Sequence, residues 1–479
     1  MRIGVRHGDA LRDAGRPLEA ARAYLAVLPL AEGDAAKDLR VQAAKQLAFG
    51  GQEFAAVPLF DEALAEYGLS IPPPLAPGEE DENLAEQLDQ LERRGFDFMP
   101  RREEEVPREE LRKVDSLWAV GVGLHRYTHR SAGFRIRVAV AALDVGEPRR
   151  VFRILSNVRM LYGFEGKAEP AALLASTERS GSLAGADQSP FDMSYLDAML
   201  HLIAGEPVLE EFEELERRLR GLSRLEIREL VIVRVSLAIV MIGRGRFGPA
   251  RARMSEWAAD ARRRGDAGFL KTAAPVESRL RLACDDVSAA RRILDVSVET
   301  WGYGTNNRDL MEAPLRIALY ASDPEAALSA ANALPGGGGV RGMVHRVFRS
   351  RALLLAVDAG FAQASRLDEV AAHVREVAGS NLDNVLYFAP PLQAGIAMLR
   401  GKREEALSLL DETLRLTAGR DDDTQLQQCI RRRKGVLLGG PEGRALVEQA
   451  DAELSAFGIV NPERWAAMTV PGFGALPKV

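Results

Sequence analysis

The sequence contains very little cysteine, and this scarcity excludes several classes of protein. Only Cys284 and Cys429 occur among 479 residues, which excludes a disulfide framework and a metal site built from several thiolates. Few cysteines are typical of proteins in a reducing cytosol. The opening residues MRIGVRHGDA also lack the apolar stretch of a secretory signal. We therefore expect a cytoplasmic protein.

Long apolar runs and an excess of one charge are absent as well. The most apolar run, residues 230–242, is 13 residues long and contains Arg234, whereas a membrane-spanning helix needs about 20 residues. The 63 basic and 69 acidic residues give a net charge of −6, which provides no general attraction to nucleic acid or anionic lipid. We therefore expect neither a membrane span nor a nucleic-acid partner.

The usual catalytic motifs are missing. The chain has no GxSxG nucleophile elbow, no HRD or DFG triplet of a kinase and no Walker lysine. His125 and His129 lie four residues apart, as zinc ligands on a helix do, but the sequence HRYTHR supplies neither a third ligand nor an adjacent acid. We interpret them as surface or structural histidines. The sequence thus predicts no catalytic residue, no metal site and no cofactor.

Helical patterns dominate the sequence. Apolar residues recur at helical spacing with Glu and Arg between them, as in the segment that contains Leu209, Phe212, Leu215 and Leu219. Strand-like alternation is scarce. With 47% hydrophobic and 28% charged residues, the composition is that of a folded globular protein. The sequence therefore predicts an all-α fold, and a long all-α chain calls for a search for repeats.

A frame of four positions recurs along the chain. Gly15 occupies offset 0 of the first unit, followed by Ala20 at 5, Tyr24 at 9 and Val27 at 12. Two antiparallel helices in a short hairpin need a turn residue that tolerates positive φ, a small residue where they cross and bulky residues beside it. The same frame is found at Gly51, Gly245, Asp285, Ser322, Gly401 and Gly440, the last with Ala445, Gln449 and Ala452. Gly146, Gly205 and Gly360 share the turn.

The regular spacing of these turns predicts stacked helical hairpins. From residue 205 the turns fall at 205, 245, 285, 322, 360, 401 and 440, at intervals of 37 to 41 residues. We expect about nine or ten hairpins. The N-terminal helical pairs span residues 1–70, a Pro-rich and acidic linker with one helix spans 71–106, and the main array spans 107–479. Because residues 1–14 form the first helix of a repeat without a polar cap, we expect a detached module, either a docking fragment or a chain begun late.

Two glycine motifs imitate a nucleotide-binding loop. The motif Gly243-x-Gly245-x-x-Gly248 has the spacing of a dinucleotide-binding fingerprint. We interpret it as a hairpin turn, because Gly245 fits the repeat frame and the apolar run before it is long and broken by arginines at helical intervals. PGGGGVRG, residues 335–342, lacks the Lys and Ser/Thr of a phosphate-binding loop and is interpreted as a turn between repeats.

Candidate binding residues follow from the repeat frame. The position six residues before each turn typically faces the groove of such an array, and basic residues occupy it at Lys45, Arg279, Arg316 and Lys434. Basic side chains on one face could hold an acidic peptide. The alternative, scattered surface charge, stays open. Other occupants of this position are Asp9, Ile239, Leu354 and Gly395. We interpret the basic clusters at 262–264 and 431–434 as solvated helix faces.

The repeats resemble tetratricopeptide repeats, although the units are longer. The order of segments resembles the C-terminal helical region of bacterial, myxobacterial-type serine/threonine protein kinases fused to an AAA- or STAND-type ATPase. The resemblance rests on GDALRDAGRPLEAARAYLAV, on residues 114–155 and on NPERWAAMTVPGFG. It implies a right-handed α-α superhelix of tetratricopeptide-like helical hairpins. The kinase and ATPase parts are absent from this chain, so no catalytic residue carries over.

We expect a non-catalytic protein-interaction scaffold in bacterial signalling that binds a protein or peptide partner on a concave surface, and a kinase or ATPase module is one candidate partner. One alternative is the regulatory C-terminal portion of a kinase or ATPase signalling protein. A second is an enzyme with a non-standard pocket between helices. Oligomeric state stays open.

Overall fold

A computed structural model of the chain describes residues 1–71, 79–124, 130–165, 167, 169–171, 174, 190–203, 206–221, 227–301, 308–334, 339–380, 383–420 and 423–474. These residues form 24 α-helices and three short 3₁₀ turns, and they contain no strand. The predicted all-α fold is therefore confirmed. None of the described helices is long and apolar enough to cross a bilayer.

Eight helices form what we name the N-terminal array. They are α1 (Arg2–Asp13), α2 (Pro17–Val27), α3 (Gly33–Phe49), α4 (Glu53–Ala65), α5 (Glu79–Arg94), α6 (Arg108–Gly123), α7 (Arg130–Val145) and α8 (Pro148–Phe164).

Sixteen helices form the C-terminal array. They are α9 (Pro190–Ile203), α10 (Leu209–Arg220), α11 (Ile227–Gly243), α12 (Phe247–Arg264), α13 (Ala267–Ala283), α14 (Val287–Trp301), α15 (Arg308–Ala321), α16 (Pro324–Asn332), α17 (Gly339–Asp358), α18 (Leu367–Ala378), α19 (Asp383–Leu386), α20 (Ala389–Leu399), α21 (Arg403–Leu416), α22 (Thr424–Leu438), α23 (Gly440–Phe457) and α24 (Pro462–Thr469).

Hairpin turns lie where the repeat frame predicts them. Positive φ angles occur at all nine predicted turn positions that the structure describes, namely Gly15, Gly51, Gly146, Gly245, Asp285, Ser322, Gly360, Gly401 and Gly440. Asp285 and Ser322, with φ of 60° and 54°, are the only described non-glycine residues with positive φ. Left-handed backbone is costly for side chains other than glycine, so the hairpin requires this conformation. Gly205 lies outside the described residues.

The glycine fingerprint of residues 243–248 is one of these turns. Helix α11 ends at Gly243 and α12 begins at Phe247, with Gly245 at φ 71° between them. The amide of Arg246 donates to the carbonyl of Met241 at 2.8 Å, and that of Gly245 donates to Ile242 at 3.0 Å. This pattern closes the end of a helix. The interpretation of this motif as a hairpin turn is confirmed.

The side-chain frame is correct in most units and wrong in the last. The predicted crossing residues are fully buried at Ala20, Ala56, Ala250, Ala290, Ala327 and Ala406. In the last unit Ala445, Gln449 and Ala452 are exposed. Helix α23 buries Gly443 instead, and a Cβ at Gly443 would lie 2.3 Å from the carbonyl oxygen of Gly435. The small residue at the crossing therefore comes two positions earlier, after the paired turn residues Gly439 and Gly440.

Two large hydrophobic cores correspond to the two arrays. The N-terminal core runs from Ala21 to Leu174, and Leu88 and Leu91 of α5 belong to it. The C-terminal core runs from Ala198 to Phe473 and also takes in two residues of the N-terminal array. Helix α5, in the predicted linker, thus packs with the hairpins on both sides of it. The predicted domain boundaries themselves stay predictions.

Hairpins that are distant in sequence touch one another. Glu53, beside the turn of α3 and α4, forms a buried ion pair of 3.0 Å with Lys271 of α13. Within the C-terminal array, the hydroxyl of Thr424 donates to the carbonyl of Gly243 at 3.3 Å, although four hairpins separate their helices. In a straight solenoid each repeat contacts only its neighbours, so this array folds back on itself. The right-handed sense of the superhelix stays a prediction.

Candidate functional site

The four basic residues predicted to bind a partner occupy different environments. Lys45 on α3 lies in the N-terminal array and lines an open cleft. Arg279 on α13 and Arg316 on α15 are both half-buried in the C-terminal array. Lys434 on α22 forms an ion pair of 2.5 Å with Asp411 of α21, the second helix of the neighbouring hairpin. The structure therefore does not unite the four residues in one groove.

Arg316 contacts neighbouring side chains of the C-terminal array. Its guanidinium donates to the fully buried carboxylate of Glu312 at 3.0 Å and lies 4.4 Å from the ring centroid of Phe348. Arg351 of α17 stacks on the same ring at 5.3 Å. Burial lowers the pKa of Arg351 to about 10. These arginines contribute to the packing between α15 and α17.

Lys45 lines a cleft between α3, α6 and α8, which we name the cationic cleft. Its volume is about 760 Å³, and six basic side chains line it, namely Lys45, Arg108, Arg112, Arg149, Arg150 and Arg153. Three acidic side chains, those of Asp38, Glu103 and Asp115, line it as well. The walls therefore carry more positive than negative groups.

Acidic neighbours hold half of these basic groups. Arg112 pairs with Asp38 at 2.8 Å, and Arg150 pairs with Asp115 at 2.7 Å and with the buried Glu147 at 2.9 Å. Burial alone would lower the pKa of Arg150, but the carboxylates of Asp115 and Glu147 outweigh it and raise that pKa. Arg153 shares Asp115 at 2.9 Å. These charges brace the walls of the cleft.

The remaining three basic side chains of the cationic cleft have no acidic partner in the described part of the chain. The Nζ of Lys45 lies 5.3 Å from the ring centroid of Phe49, and Arg108 and Arg149 are exposed without an ion pair among the described residues. Arg153, although paired with Asp115, stacks its guanidinium on half-buried Trp118 at 5.0 Å. The cationic cleft thus presents unneutralised donors beside an aromatic surface.

A second surface, formed by the first helices of successive hairpins in the C-terminal array, is covered by the chain itself. We name it the first-helix face and define it by Asp285, Tyr320, Asp358, Gly395 and Arg433. Residues 459–474, which we name the C-terminal segment, lie across it and contain α24. Trp465 is fully buried there, with its ring 5.3 Å from Phe247 and 6.2 Å from Tyr320.

Polar contacts fasten the C-terminal segment to this face. Asp285 accepts hydrogen bonds from Tyr320 at 2.8 Å, from Arg464 at 2.8 Å and from Asn461 at 3.2 Å. The indole of Trp465 donates to Gln425 at 3.2 Å. Burial alone would raise the pKa of Asp285, but these hydrogen bonds from Tyr320, Asn461 and Arg464 outweigh it and lower that pKa.

The metal-binding side chains, the thiol of Cys429 and the second cleft among the described residues do not point to a reactive group. No cluster of three or more His, Cys, Asp or Glu residues suited to a metal ion occurs among them. Burial raises the pKa of Cys429 to about 12, so its thiol is protonated at neutral pH. A smaller cleft of about 370 Å³ beside Phe134 has largely apolar walls. His125, His129 and Gly337 lie outside the described residues.

The sequence analysis named some of the residues on each of the two surfaces. The position six residues before the turn includes Lys45, which lines the cationic cleft, and Gly395, which lies under the C-terminal segment. The role of Lys45 in binding a partner stays a prediction. Arg149 was missed because it lies on the second helix of the Gly146 hairpin, where the frame names no groove position. Arg108 and Trp118 were missed because the frame assigns no turn to their helix, α6. Trp465 was missed because it follows the last repeat. No known protein-family model matches the chain, and no curated protein does.

Proposed function

We propose that the protein is a non-catalytic helical-repeat scaffold that binds an acidic segment of a protein partner in the cationic cleft. The observation that carries the proposal is the group of basic side chains, Lys45, Arg108 and Arg149, that line the cleft without an acidic partner among the described residues. Guanidinium and ammonium groups of this kind recognise carboxylates. A carboxylate-bearing partner would neutralise them.

The cleft also has the features of a surface that is ready to bind. Ion pairs of Arg112 and Arg150 brace its walls, so that little ordering is needed on association. Half-buried Trp118 supplies apolar area on its wall, and aromatic residues often dominate binding energy. Charge at the rim would mainly accelerate association and make it dependent on salt.

The setting that we propose is bacterial signalling in the cytoplasm. The resemblance of the repeats to the helical regions of kinase and ATPase signalling proteins makes a kinase or ATPase module the first partner to test. In this view the chain regulates or localises an enzyme and performs no reaction itself.

Charge reversal tests the proposal. The variant Lys45→Glu/Arg108→Glu/Arg149→Glu and the wild-type chain are used to capture proteins from the native cell. The control Arg6→Glu/Arg291→Glu/Arg292→Glu changes the net charge equally at exposed positions elsewhere. We expect at least one protein to bind the wild-type chain and the control but not the cleft variant. An acidic peptide from that protein should then bind the purified chain more weakly as salt rises. Identical capture by all three chains would refute the proposal.

A further inference from the structure

The C-terminal segment contacts the first-helix face in the manner of a bound peptide. Three of its main-chain groups bond to the face. The amide of Val460 donates to the carbonyl of Ala283 at 2.8 Å, Arg433 donates to the carbonyl of Val470 at 3.1 Å, and the amide of Gly474 donates to Asp358 at 2.8 Å. Peptide recognition commonly combines such main-chain bonds with pockets for selected side chains.

One large side chain anchors the segment. Trp465 is fully buried, its ring meets Phe247 and Tyr320 edge to face, and its N–H is satisfied by Gln425. A buried tryptophan with its polar hydrogen paired is the type of residue that dominates binding energies at interfaces. The three residues around it come from α12, α15 and α22, so the pocket is assembled from three separate hairpins.

Beyond the anchor, the face lacks a side chain where the segment's backbone passes. A Cβ at Gly395 would lie 2.8 Å from the carbonyl oxygen of Pro471, and a Cβ at Gly472 would lie 3.1 Å from the Cα of Gly395. Such distances are too short for ordinary contacts. Glycine at both positions therefore lets the non-helical stretch Pro-Gly-Phe-Gly lie directly on α20.

Arg433 depends on the segment for its partners. Its exposed fraction is 7%, and that of Arg432 is 8%, so the interpretation of residues 431–434 as a solvated helix face is wrong at these two positions. The Nε of Arg433 donates to Val470, and its guanidinium lies 5.4 Å from the ring centroid of Phe473. It has no ion pair among the described residues. Burial lowers the pKa of Arg433 to about 10, so it remains charged at neutral pH. Removing the segment would leave this charge without its hydrogen-bond acceptor, which favours a ligand in the same place.

We propose that the first-helix face is a peptide-binding surface whose ligand is a protein segment with the chemistry of the C-terminal segment. That chemistry is a tryptophan on a short helix, followed six residues later by a non-helical Pro-Gly-Phe-Gly stretch. The chain itself supplies this ligand, so a partner's segment binds by displacing it. The proposal is independent of the cationic cleft, whose ligand is acidic and whose side chains lie in the other array.

A labelled synthetic peptide of residues 459–474 tests the proposal. Its binding is measured by fluorescence anisotropy on the full-length wild-type chain and on full-length Asn461→Ala/Arg464→Ala, which loosens the chain's own segment by removing two contacts to half-exposed Asp285. Because occupation by the chain's own segment reduces the apparent affinity of a competitor, we expect the peptide to bind the loosened chain at least about tenfold more tightly than the wild-type chain.

Two matched controls assign the binding to this face. A peptide with Trp465→Ala should bind the loosened chain about tenfold more weakly than the native peptide. Adding Gly395→Ala to the loosened chain should weaken binding of the native peptide, because the new methyl group meets the Pro471 carbonyl.

The outcomes are decisive in either direction. A loosened chain that keeps its helical circular dichroism but binds the peptide no better than the wild-type chain would overturn the proposal, and so would equal binding of the two peptides. If the double variant loses helicity, Arg464→Ala alone replaces it, since that side chain is 40% exposed, and the same two results decide.

Discussion

The two arrays are built from the same type of helical hairpin, but the position six residues before the turn lines an open cleft in one array and is covered in the other. In the N-terminal array Lys45, six residues before its turn, lines an open cleft with basic walls. In the C-terminal array Gly395, at the equivalent position, lies beneath the C-terminal segment. The repeat frame sets where the chain turns and where two helices cross. It does not set what covers the outer face of the first helix, and that difference decides which surface is open.

The largest expected effect comes from the anchor of the covered face. Trp465→Ala should lower the free energy of unfolding of the C-terminal array by about 3 to 5 kcal/mol, because it empties a fully buried site. The matched change in the other array, Trp118→Ala, removes a half-buried ring and should cost about 1 kcal/mol. Hydrogen exchange followed by mass spectrometry reports both arrays in one experiment. Equal loss of protection in the two arrays after Trp465→Ala would contradict the expectation that this side chain stabilises mainly the C-terminal array.

Breaking the ion pair between the two arrays should have the second-largest effect on stability. Lys271→Met leaves the carboxylate of Glu53, 2% exposed, without its partner at 3.0 Å. Breaking a buried pair from one side costs about 3 kcal/mol, whereas replacing both partners by apolar residues is often nearly neutral. We therefore expect Glu53→Leu/Lys271→Met to be more stable than Lys271→Met in denaturant titrations. A double variant as unstable as the single one would show that the charges themselves join the arrays.

Alanine substitutions at two turn glycines distinguish the cost of left-handed backbone from the cost of a clash with Phe457. Gly245→Ala places a methyl group at φ 71° and 2.7 Å from the ring of Phe457, whereas Gly401→Ala at φ 74° meets nothing within 4 Å. The left-handed backbone costs each variant about 1 to 2 kcal/mol, and the clash adds about 1 kcal/mol or more at Gly245. Thermal unfolding should rank the wild type first, then Gly401→Ala, then Gly245→Ala. Equal losses would mean that Phe457 moves aside freely.

The smallest effect is a pH dependence confined to the covered face. Burial alone would raise the pKa of Asp285, but hydrogen bonds from Tyr320, Asn461 and Arg464 hold that pKa below its ordinary value. A lowered pKa in the folded state contributes stability that is present above the unfolded-state pKa, about 3.9, and is lost as the pH falls through the folded-state pKa. The stability advantage of the wild type over Asp285→Asn should therefore shrink between pH 7 and pH 3.

Exchange protection of the N-terminal array provides the internal control for this titration. Asp285 contacts residues of the C-terminal array, so Asp285→Asn should leave the protection of α1 to α8 unchanged relative to the wild type at each pH. An advantage of the wild type that is the same at pH 7 and pH 3 would contradict the assigned role of the carboxylate.

The turns were predictable because they depend on local chemistry. A positive φ angle is required at one position of each hairpin, and the spacing identified that position even where Asp285 and Ser322 replace glycine. The last unit shows the limit of this reasoning. Ala445 fits the frame, yet it is exposed, and Gly443 makes the crossing instead. Neither Gly439 nor Gly440 places a small residue at position 443 when the frame is counted from it, so the packing of the two helices set this crossing.

By itself, the sequence determined the all-α class, the helical hairpins and the residues at which they turn, because these follow from backbone conformation and from the spacing of small and large residues within about 40 positions. Only the tertiary structure decided that Lys45 and Arg149 line the same cleft and that Trp465 lies against Tyr320. These arrangements bring together residues about 100 or more positions apart. They depend on how successive hairpins stack and fold back, which no local spacing encodes.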